Sequence, residues 1–483
     1  MWKKIRRPSK VDAVCWMKKC VAILGIAFLA GCARFHAQPL APDKNAAQLE
    51  TRSLTNTALK IFLEQNLHRE LADWPHSQWD FDMLTLAAFY YQPSLELARA
   101  QWHSAQAGIK TAGQRPNPTL TVMPGYSANP AAMTTPWFPA INLDIPIETA
   151  GKRGKRLDQA EHLSEAARLN VATAAWQVRT GVRSTLIESA AARERVQLLQ
   201  QQADLQKEIS KVFEQQAEVG AIAHSELASM RVAQQKAQLD LINAQGDLAD
   251  ARARLAEAIG IPLKALDDAD LSFDPLKDYQ SLTNLVTDEV RDLALRSRTD
   301  VLSALAEYAA SEDALRLEIA RQYPDVHLNP GYQYDEGEHK WSLGISVELP
   351  MLNHNQGPVA EAKANREEAA GKFNAVQAGV LAEIDRALAG CDVSGESLSA
   401  LRALVTDSEK QRASAESQFK AGELDKLDFL NAQLEAVTSK LVFLEGRLKL
   451  QQAAAALEDA VQRPLAGSIF SAEESPVKQE KTK

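Results

Sequence analysis

The apolar residues between Lys340 and Leu349 fall on every second position. They are Trp341, Leu343, Ile345, Val347 and Leu349, and the residues between them are Ser342, Gly344, Ser346 and Glu348. A period of two predicts a β-strand with one apolar face. Residues 359–463, by contrast, contain no proline and are rich in Ala, Gln, Glu and Leu, which predicts long helices.

The sequence also repeats itself. The segment "RPNPTLTVMPGYS" from Arg115 matches "RQYPDVHLNPGYQ" from Arg321 at an offset of 206 residues. The segment "INLDIPI" from Ile141 matches "ISVELPM" from Ile345 at an offset of 204. Each half then continues for more than a hundred residues without proline, so the chain is predicted to contain two copies of one unit, 84–289 and 290–465.

Each unit is predicted to contain a helix, two strands and a very long helix that turns back on itself. In the first unit the first helix covers about 94–112 and the long helix 155–219. The second long helix covers 359–421, and its segment 389–397 is a candidate interruption. The long helices are predicted to end at Gly220 and Gly422, since glycine suits a helix C-terminus. The returning helix is expected to begin at Ser225 in the first unit and at Asp425 in the second.

The predicted strands form two hairpins whose apolar faces need a partner. The strands are 119–123 with 139–145 and 325–329 with 340–349. One interpretation is a soluble sandwich in which these faces cover a core. The alternative is a bilayer, and because four strands cannot close a barrel, several chains must then share one, three chains giving twelve strands. In that case the apolar residues of this strand face lipid, namely Trp341, Leu343, Ile345, Val347 and Leu349. The equivalent residues Asp144 and Glu348, on the other face, either make the lumen acidic or are solvated charges.

The N-terminus indicates export. A basic stretch precedes the apolar segment Cys20–Cys32, whose exit Leu29-Ala30-Gly31-Cys32 resembles a bacterial lipobox. Residues 1–31 are therefore predicted to be a lipoprotein signal peptide, translated from Met1 or Met17, and Cys32 the acylated first residue of the mature chain. The alternative is an ordinary cysteine within a signal peptide. Residues 32–83 would be an anchor and periplasmic segment, and 466–483 a disordered tail.

Composition excludes several classes of protein. With 24% charged residues and a mean hydropathy of −0.28, the chain is not a bundle of membrane-spanning helices. Its formal net charge of −9 falls to −15 without residues 1–31, which argues against nucleic acid as a partner. No HExxH motif, metal-ligand cluster, nucleophile elbow or Walker loop occurs, so neither an enzyme nor a cofactor is predicted, apart from the covalent lipid on Cys32.

From about residue 80 to 465 the chain resembles the TolC-like outer-membrane efflux family, most closely its heavy-metal branch. The resemblance rests on the duplicated unit, on "RPNPTL" and "YPDVHL", and on the strand-to-helix junctions "IPIETAGKRGKR" and "LPMLNHNQG". It implies a mainly α-helical homotrimer with a twelve-stranded outer-membrane β-barrel continued by a periplasmic helical tunnel. It also implies a passive exit duct that works with a periplasmic adaptor and an inner-membrane pump of the RND type.

The resemblance further implies sites at the two helical turns. Adaptor hairpins would dock at tips formed by Gly220, Ser225, Leu227, Gly422, Leu424 and Leu430. A periplasmic gate in this family carries two acidic residues; Asp428 matches the first, but the second is Asn431 here. Asp428 is thus either a single gate ring or a solvated carboxylate. The basic run 151–156 resembles metal-efflux members or is a solvated helix start. Duct, type I protein secretion duct and structural coiled-coil lipoprotein remain the alternatives, and the cargo is open.

Overall fold

The computed structural model describes residues 35–76, 78–128, 136–267, 269–272 and 287–464. The signal segment with Cys32 and the tail predicted at 466–483 lie outside the described residues. The chain divides into two compact units at Thr51. In the first unit the described residues form one helix, α1 (Pro42–Glu50), which begins with proline at its first position, where the missing N–H costs no hydrogen bond.

The second unit contains the duplicated series of elements. Its first part comprises α2 (Thr57–Leu67), β1 (Gln78–Trp79), α3 (Phe81–Tyr91), α4 (Pro93–Ala112), β2 (Thr119–Met123), β3 (Ala140–Ile147), α5 (Lys152–Glu218), α6 (His224–Ile259) and β4 (Asp270–Leu271). Its second part comprises α7 (Thr287–Ser297), α8 (Thr299–Ala320), β5 (Val326–Asp335), β6 (Glu338–Val347), α9 (Gln356–Ala421) and α10 (Lys426–Val461). The helix, strand, strand and long-helix order predicted for both units is confirmed.

The long helices form two antiparallel hairpins, α5 with α6 and α9 with α10, and α10 also packs on α5. The 67 residues of α5 are about 100 Å long at 1.5 Å per residue. Helix α9 is continuous through 389–397, so the predicted interruption is wrong. Among the described residues, no helix combines the length and apolar character that a bilayer crossing requires.

The helix termini follow the local sequence with one exception. Gly422 adopts φ = 77° at the end of α9, and Asp425 accepts a hydrogen bond from the Asp428 N–H as the N-cap of α10. The expectation that Ser225 begins α6 is wrong. The N-cap is Ala223, and Ser225 lies in the first turn.

The largest buried cluster lies where the sequence was least informative. Residues before Leu84 contribute Leu59, Leu63 and Trp79, which pack with α3 against the middle of α5 and the end of α6. Helix α3, "FDMLTLAAFYY", is mostly apolar, and eight of its eleven residues are buried. The N-terminal part of this unit therefore packs against the long helices and shares a hydrophobic core with them.

The four longer strands form one antiparallel sheet in the order β2-β3-β5-β6. Both predicted hairpins are confirmed, and the pairing of β3 with β5 joins the two repeats, with Ile141 opposite Tyr332. Strand β6 ends at Val347, so Glu348 and Leu349, predicted as strand residues, lie beyond it. The equivalent residues of β3 pair with β5, whereas no described strand of the same chain lies beside 348–351.

The apolar face of this sheet has no cover within the described chain. Trp341 is 80% exposed and Leu343 72% exposed, and the same face includes Leu120, Val122, Ile141, Ile345 and Val347. A sandwich would have enclosed these side chains. The soluble-sandwich interpretation is therefore wrong for the described residues, and an exposed apolar patch of this kind marks a contact surface.

A buried ion-pair cluster joins the two repeats at mid-height. The Glu458 carboxylate of α10 lies 2.5 Å from the Arg179 guanidinium of α5 and also contacts Arg183. Arg179 lies over the rings of Phe81 and Trp176, at 5.0 and 4.9 Å from their centroids. Burial lowers the pKa of Arg179 to about 10, although Asp82 and Asp459 act in the opposite direction. The ion pairs of Glu458 with the two arginines thus offset the cost of removing these charges from water.

We expect Glu458→Gln to destabilise the chain by roughly 3–5 kcal/mol, because the buried Arg179 and the partly buried Arg183 would lose their shared carboxylate. Glu435→Gln, an exposed position on the same helix, serves as the matched control and should change stability by less than about 0.5 kcal/mol. Thermal unfolding followed by circular dichroism measures both. Equal melting temperatures for the two variants would contradict a structural role for the cluster.

Candidate functional site

The polar face of the sheet carries a connected set of side chains close to the helices. The Nδ1 atom of His327 lies 2.9 and 3.1 Å from the two carboxylate oxygens of Asp144, across the β3–β5 pairing. The Asn329 amide donates to the Ser346 hydroxyl at 2.9 Å. Asp144 and His327 are both about two-fifths exposed. This is the face on which the sequence placed Asp144; Glu348, predicted beside it, is exposed beyond the end of β6.

A partly buried ion pair fixes the junction between this sheet and α5. The Lys152 ammonium donates to the Asp325 carboxylate at 2.7 Å, and the Thr149 N–H donates to the same oxygen at 2.9 Å. Burial raises the pKa of Asp325, but these hydrogen bonds outweigh it and hold that pKa below its ordinary value. The stabilisation is therefore present near neutral pH and is lost on acidification through the lowered pKa.

Two further residues of the basic run "GKRGKR" also form contacts. Arg153 donates to the Gly113 carbonyl at 2.7 Å, and Arg156 forms a two-oxygen ion pair with Glu148. Lys152 is only 7% exposed. The interpretation of this run as a solvated helix start is therefore wrong, since it attaches α5 to α4 and to the second repeat's strand. The sequence analysis missed this role, because the contact of Lys152 with Asp325 joins residues 173 positions apart that no local pattern connects.

The two strand-to-helix junctions are conformational equivalents. Gly151 and Asn355, which are 204 residues apart, precede α5 and α9 with φ = 69° and 59°. Glycine and asparagine are the residues that adopt this left-handed conformation most easily. The duplicated backbone geometry is thus kept while the side chains differ.

The predicted docking tips are largely accessible. Gly220 and Gly422 both have positive φ and lie exposed in the two turns, and Ser225 is exposed beside the first of them. Leu227 and Leu424 are half-buried. Leu430 is only 3% exposed and packs inside its hairpin, so its predicted place on a docking surface is wrong. Phe419 and Phe429 stack with centroids 4.9 Å apart and connect α9 to α10 near the tip.

The predicted gate residues lie on one exposed side of the second tip. Asp428 occupies the first turn of α10, and Asn431 is exposed almost one turn later. Whether Asp428 forms a ring depends on other copies of the chain, so that role stays a prediction. In the described part of the chain, no three His, Cys, Asp or Glu residues are grouped to hold a metal ion.

Comparison with known proteins connects this architecture to a family. The family model described as "Outer membrane efflux protein" matches residues 88–261 and 290–461. The cobalt-zinc-cadmium resistance protein CzcC of Cupriavidus metallidurans is 26% identical over 368 residues, which are 76% of this chain and 85% of CzcC. The pyoverdine export outer membrane protein OpmQ of Pseudomonas aeruginosa is 22% identical over 408 residues, 79% of this chain and 85% of OpmQ.

A solved structure agrees on the fold. The outer membrane protein VceC from Vibrio cholerae superposes with a TM-score of 0.64 at 17% identity, covering 79% of this chain and 95% of VceC. The two segments matched by the family model include both long helical hairpins and all four strands of the larger sheet. The chain belongs to the outer membrane efflux protein family.

Proposed function

We propose that the chain is one third of a passive outer-membrane exit duct. Three copies close a twelve-stranded barrel, and their six helical hairpins continue it as a tunnel into the periplasm. The observation that carries this proposal is the open four-stranded sheet, which exposes an apolar face and whose edge strands, β2 and β6, pair with no further strand of the described chain. Such edges are costly in lipid unless other strands pair with them.

The duplication supplies a register for the contact between copies. Within one chain Ile145 of the first repeat pairs with Leu328 of the second. The repeat offsets convert this pair into Leu349 of one copy opposite Val122 of the next. Pairing with a second copy would then extend β6 past Val347, where it ends in the single chain. The exposed apolar stripe of α6, formed by Val232, Leu239 and Ile242, supports a second contact between copies.

The energy for transport would come from partners, since a duct only conducts. We propose that a periplasmic adaptor docks at the accessible tip residues Gly220, Ser225, Leu227, Gly422 and Leu424, and that an inner-membrane pump of the RND type drives the cargo. We propose a divalent metal ion as cargo, supported by the similarity to CzcC and by Asp144 on the polar face. Secretion of proteins is the second candidate, and a coiled-coil spacer the third.

A disulfide experiment tests the shared barrel. We expect Val122→Cys combined with Leu349→Cys, in a Cys391→Ser background, to give cross-linked dimers and trimers on oxidation, because directly opposite strand residues have Cα atoms about 4.5–5.5 Å apart. Denaturing electrophoresis measures the products. Val122→Cys with Leu343→Cys is the control, on the same face but out of register. Monomers alone in the first pair would contradict the proposed contact and favour the spacer.

A second experiment tests which face meets lipid. Leu343→Lys should reduce the amount of assembled trimer, because a lysine facing the middle of the bilayer costs about 2–4 kcal/mol. The neighbouring substitution Ser342→Lys places the same charge on the polar face and should be tolerated. Heat-modifiable trimer in outer-membrane fractions is the measurement. Equal losses in both variants would contradict the assignment of the faces.

We also propose that Cys32 carries the lipid anchor. The support is sequence-based: a basic segment, an apolar segment and Leu-Ala-Gly before the cysteine. Cys32→Ser should abolish acylation, detected by mass spectrometry of the mature chain, while the barrel still inserts in part, because the sheet contacts the membrane independently. Diacylglycerol on the Cys32→Ser protein would disprove the anchor.

A further inference from the structure

We propose that His327 is a ligand in the lumen for divalent cations such as Zn²⁺, Co²⁺ and Cd²⁺, with its Nε2 atom as the donor. This inference rests on the proposed function, which makes the polar face of the sheet the wall of the conduit. Imidazole nitrogen suits these metals, whereas Mg²⁺ prefers oxygen ligands. His327 would contact the cargo during its passage.

The argument begins with the orientation of the imidazole. The β3–β5 register places His327 opposite Pro146, and the Asp144 carboxylate reaches Nδ1 with both oxygens. A carboxylate accepts hydrogen bonds, so it favours the tautomer in which Nδ1 carries the proton. The Nε2 lone pair of the neutral ring is then available to a metal ion.

The pairing with a carboxylate is itself typical of metal-binding histidines. Such residues usually donate their second ring N–H to a carboxylate, carbonyl or water, which fixes the ring and raises its basicity. Among the described residues, Nε2 of His327 has no hydrogen-bond partner, and the side chain is 38% exposed. The ring is therefore positioned and accessible at the same time.

The residues around His327 favour cations but do not form a complete, tight metal site. Asp144 and Asp325 bring two carboxylates to this end of the sheet, and Lys152 bonds to the second of them. One chain offers a single imidazole, because the repeat offset places Thr121 at the position equivalent to His327. A single imidazole on each ion would bind it weakly enough to release it, as conduction requires.

His339 provides a matched control within the same sheet. It lies on β6, on the face of Trp341, and its Nδ1 is 2.8 Å from the Tyr332 hydroxyl. It is thus a second exposed histidine with an occupied Nδ1, but on the opposite face. Zn²⁺ delivered through the lumen should distinguish the two.

Chemical footprinting tests the ligand directly. Detergent-purified full-length protein is treated with diethyl pyrocarbonate, which modifies accessible imidazole nitrogen, and modification is quantified by mass spectrometry. Zn²⁺ should slow modification of His327 at least about tenfold relative to Mg²⁺ and leave His339 unchanged. Equal rates at His327 in both ions would overturn the proposal, whether or not the protein conducts.

Conductance in planar bilayers then connects binding to transport. Zn²⁺ should reduce the wild-type current, and His327→Gln should need about tenfold or more Zn²⁺ for the same reduction. Asp144→Asn weakens the positioning of the ring and should raise the Zn²⁺ concentration needed for that reduction by about tenfold. His339→Gln should behave as wild type. Unchanged Zn²⁺ sensitivity in His327→Gln would overturn the role in passage. A wild-type protein that never conducts would instead contradict the duct.

Discussion

Backbone hydrogen bonding in lipid is the constraint on which the architecture depends. Strands β2 and β6 are edges in a single chain, and each of their outward N–H and C=O groups would cost several kcal/mol if left unpaired in hydrocarbon. The exposed apolar face makes lipid the natural surrounding of the sheet. Association of copies is thus a condition of the fold as well as of the conduit. An isolated chain would expose both the apolar face of the sheet and its two edge strands.

The duplication explains how one chain repeats its geometry and also where the repeats differ. The left-handed junction is kept by Gly151 in one repeat and Asn355 in the other. The ion pair of Lys152 with Asp325 connects the repeats within a chain. The residues equivalent by offset, Gln356 and Thr119, carry no charge, so the proposed contact between copies would lack this ion pair. The two repeats therefore resemble each other more in backbone conformation than in side-chain chemistry.

Much of the fold follows from sequence periodicity, whereas the site depends on register. Alternation from Trp341 to Val347 and the proline-free segments identified the strands and long helices, because both signals are local. The His327–Asp144 contact requires the β3–β5 pairing, which no local pattern specifies. The Arg179–Glu458 contact and the buried cluster around Trp79 likewise join distant segments. The end of β6 at Val347 could not be predicted, since it depends on the absence of a partner strand.

The pairing of β3 with β5 also sets the order of events during folding. Ile141 and Tyr332 are partners across ~190 residues of sequence, with two long helices between them. Closing such a loop carries an entropic cost before any contact compensates for it, so this step is slow compared with hairpin formation. The β3 edge of the β2–β3 hairpin therefore stays unpaired until β5 of the second repeat has been synthesised and reaches it.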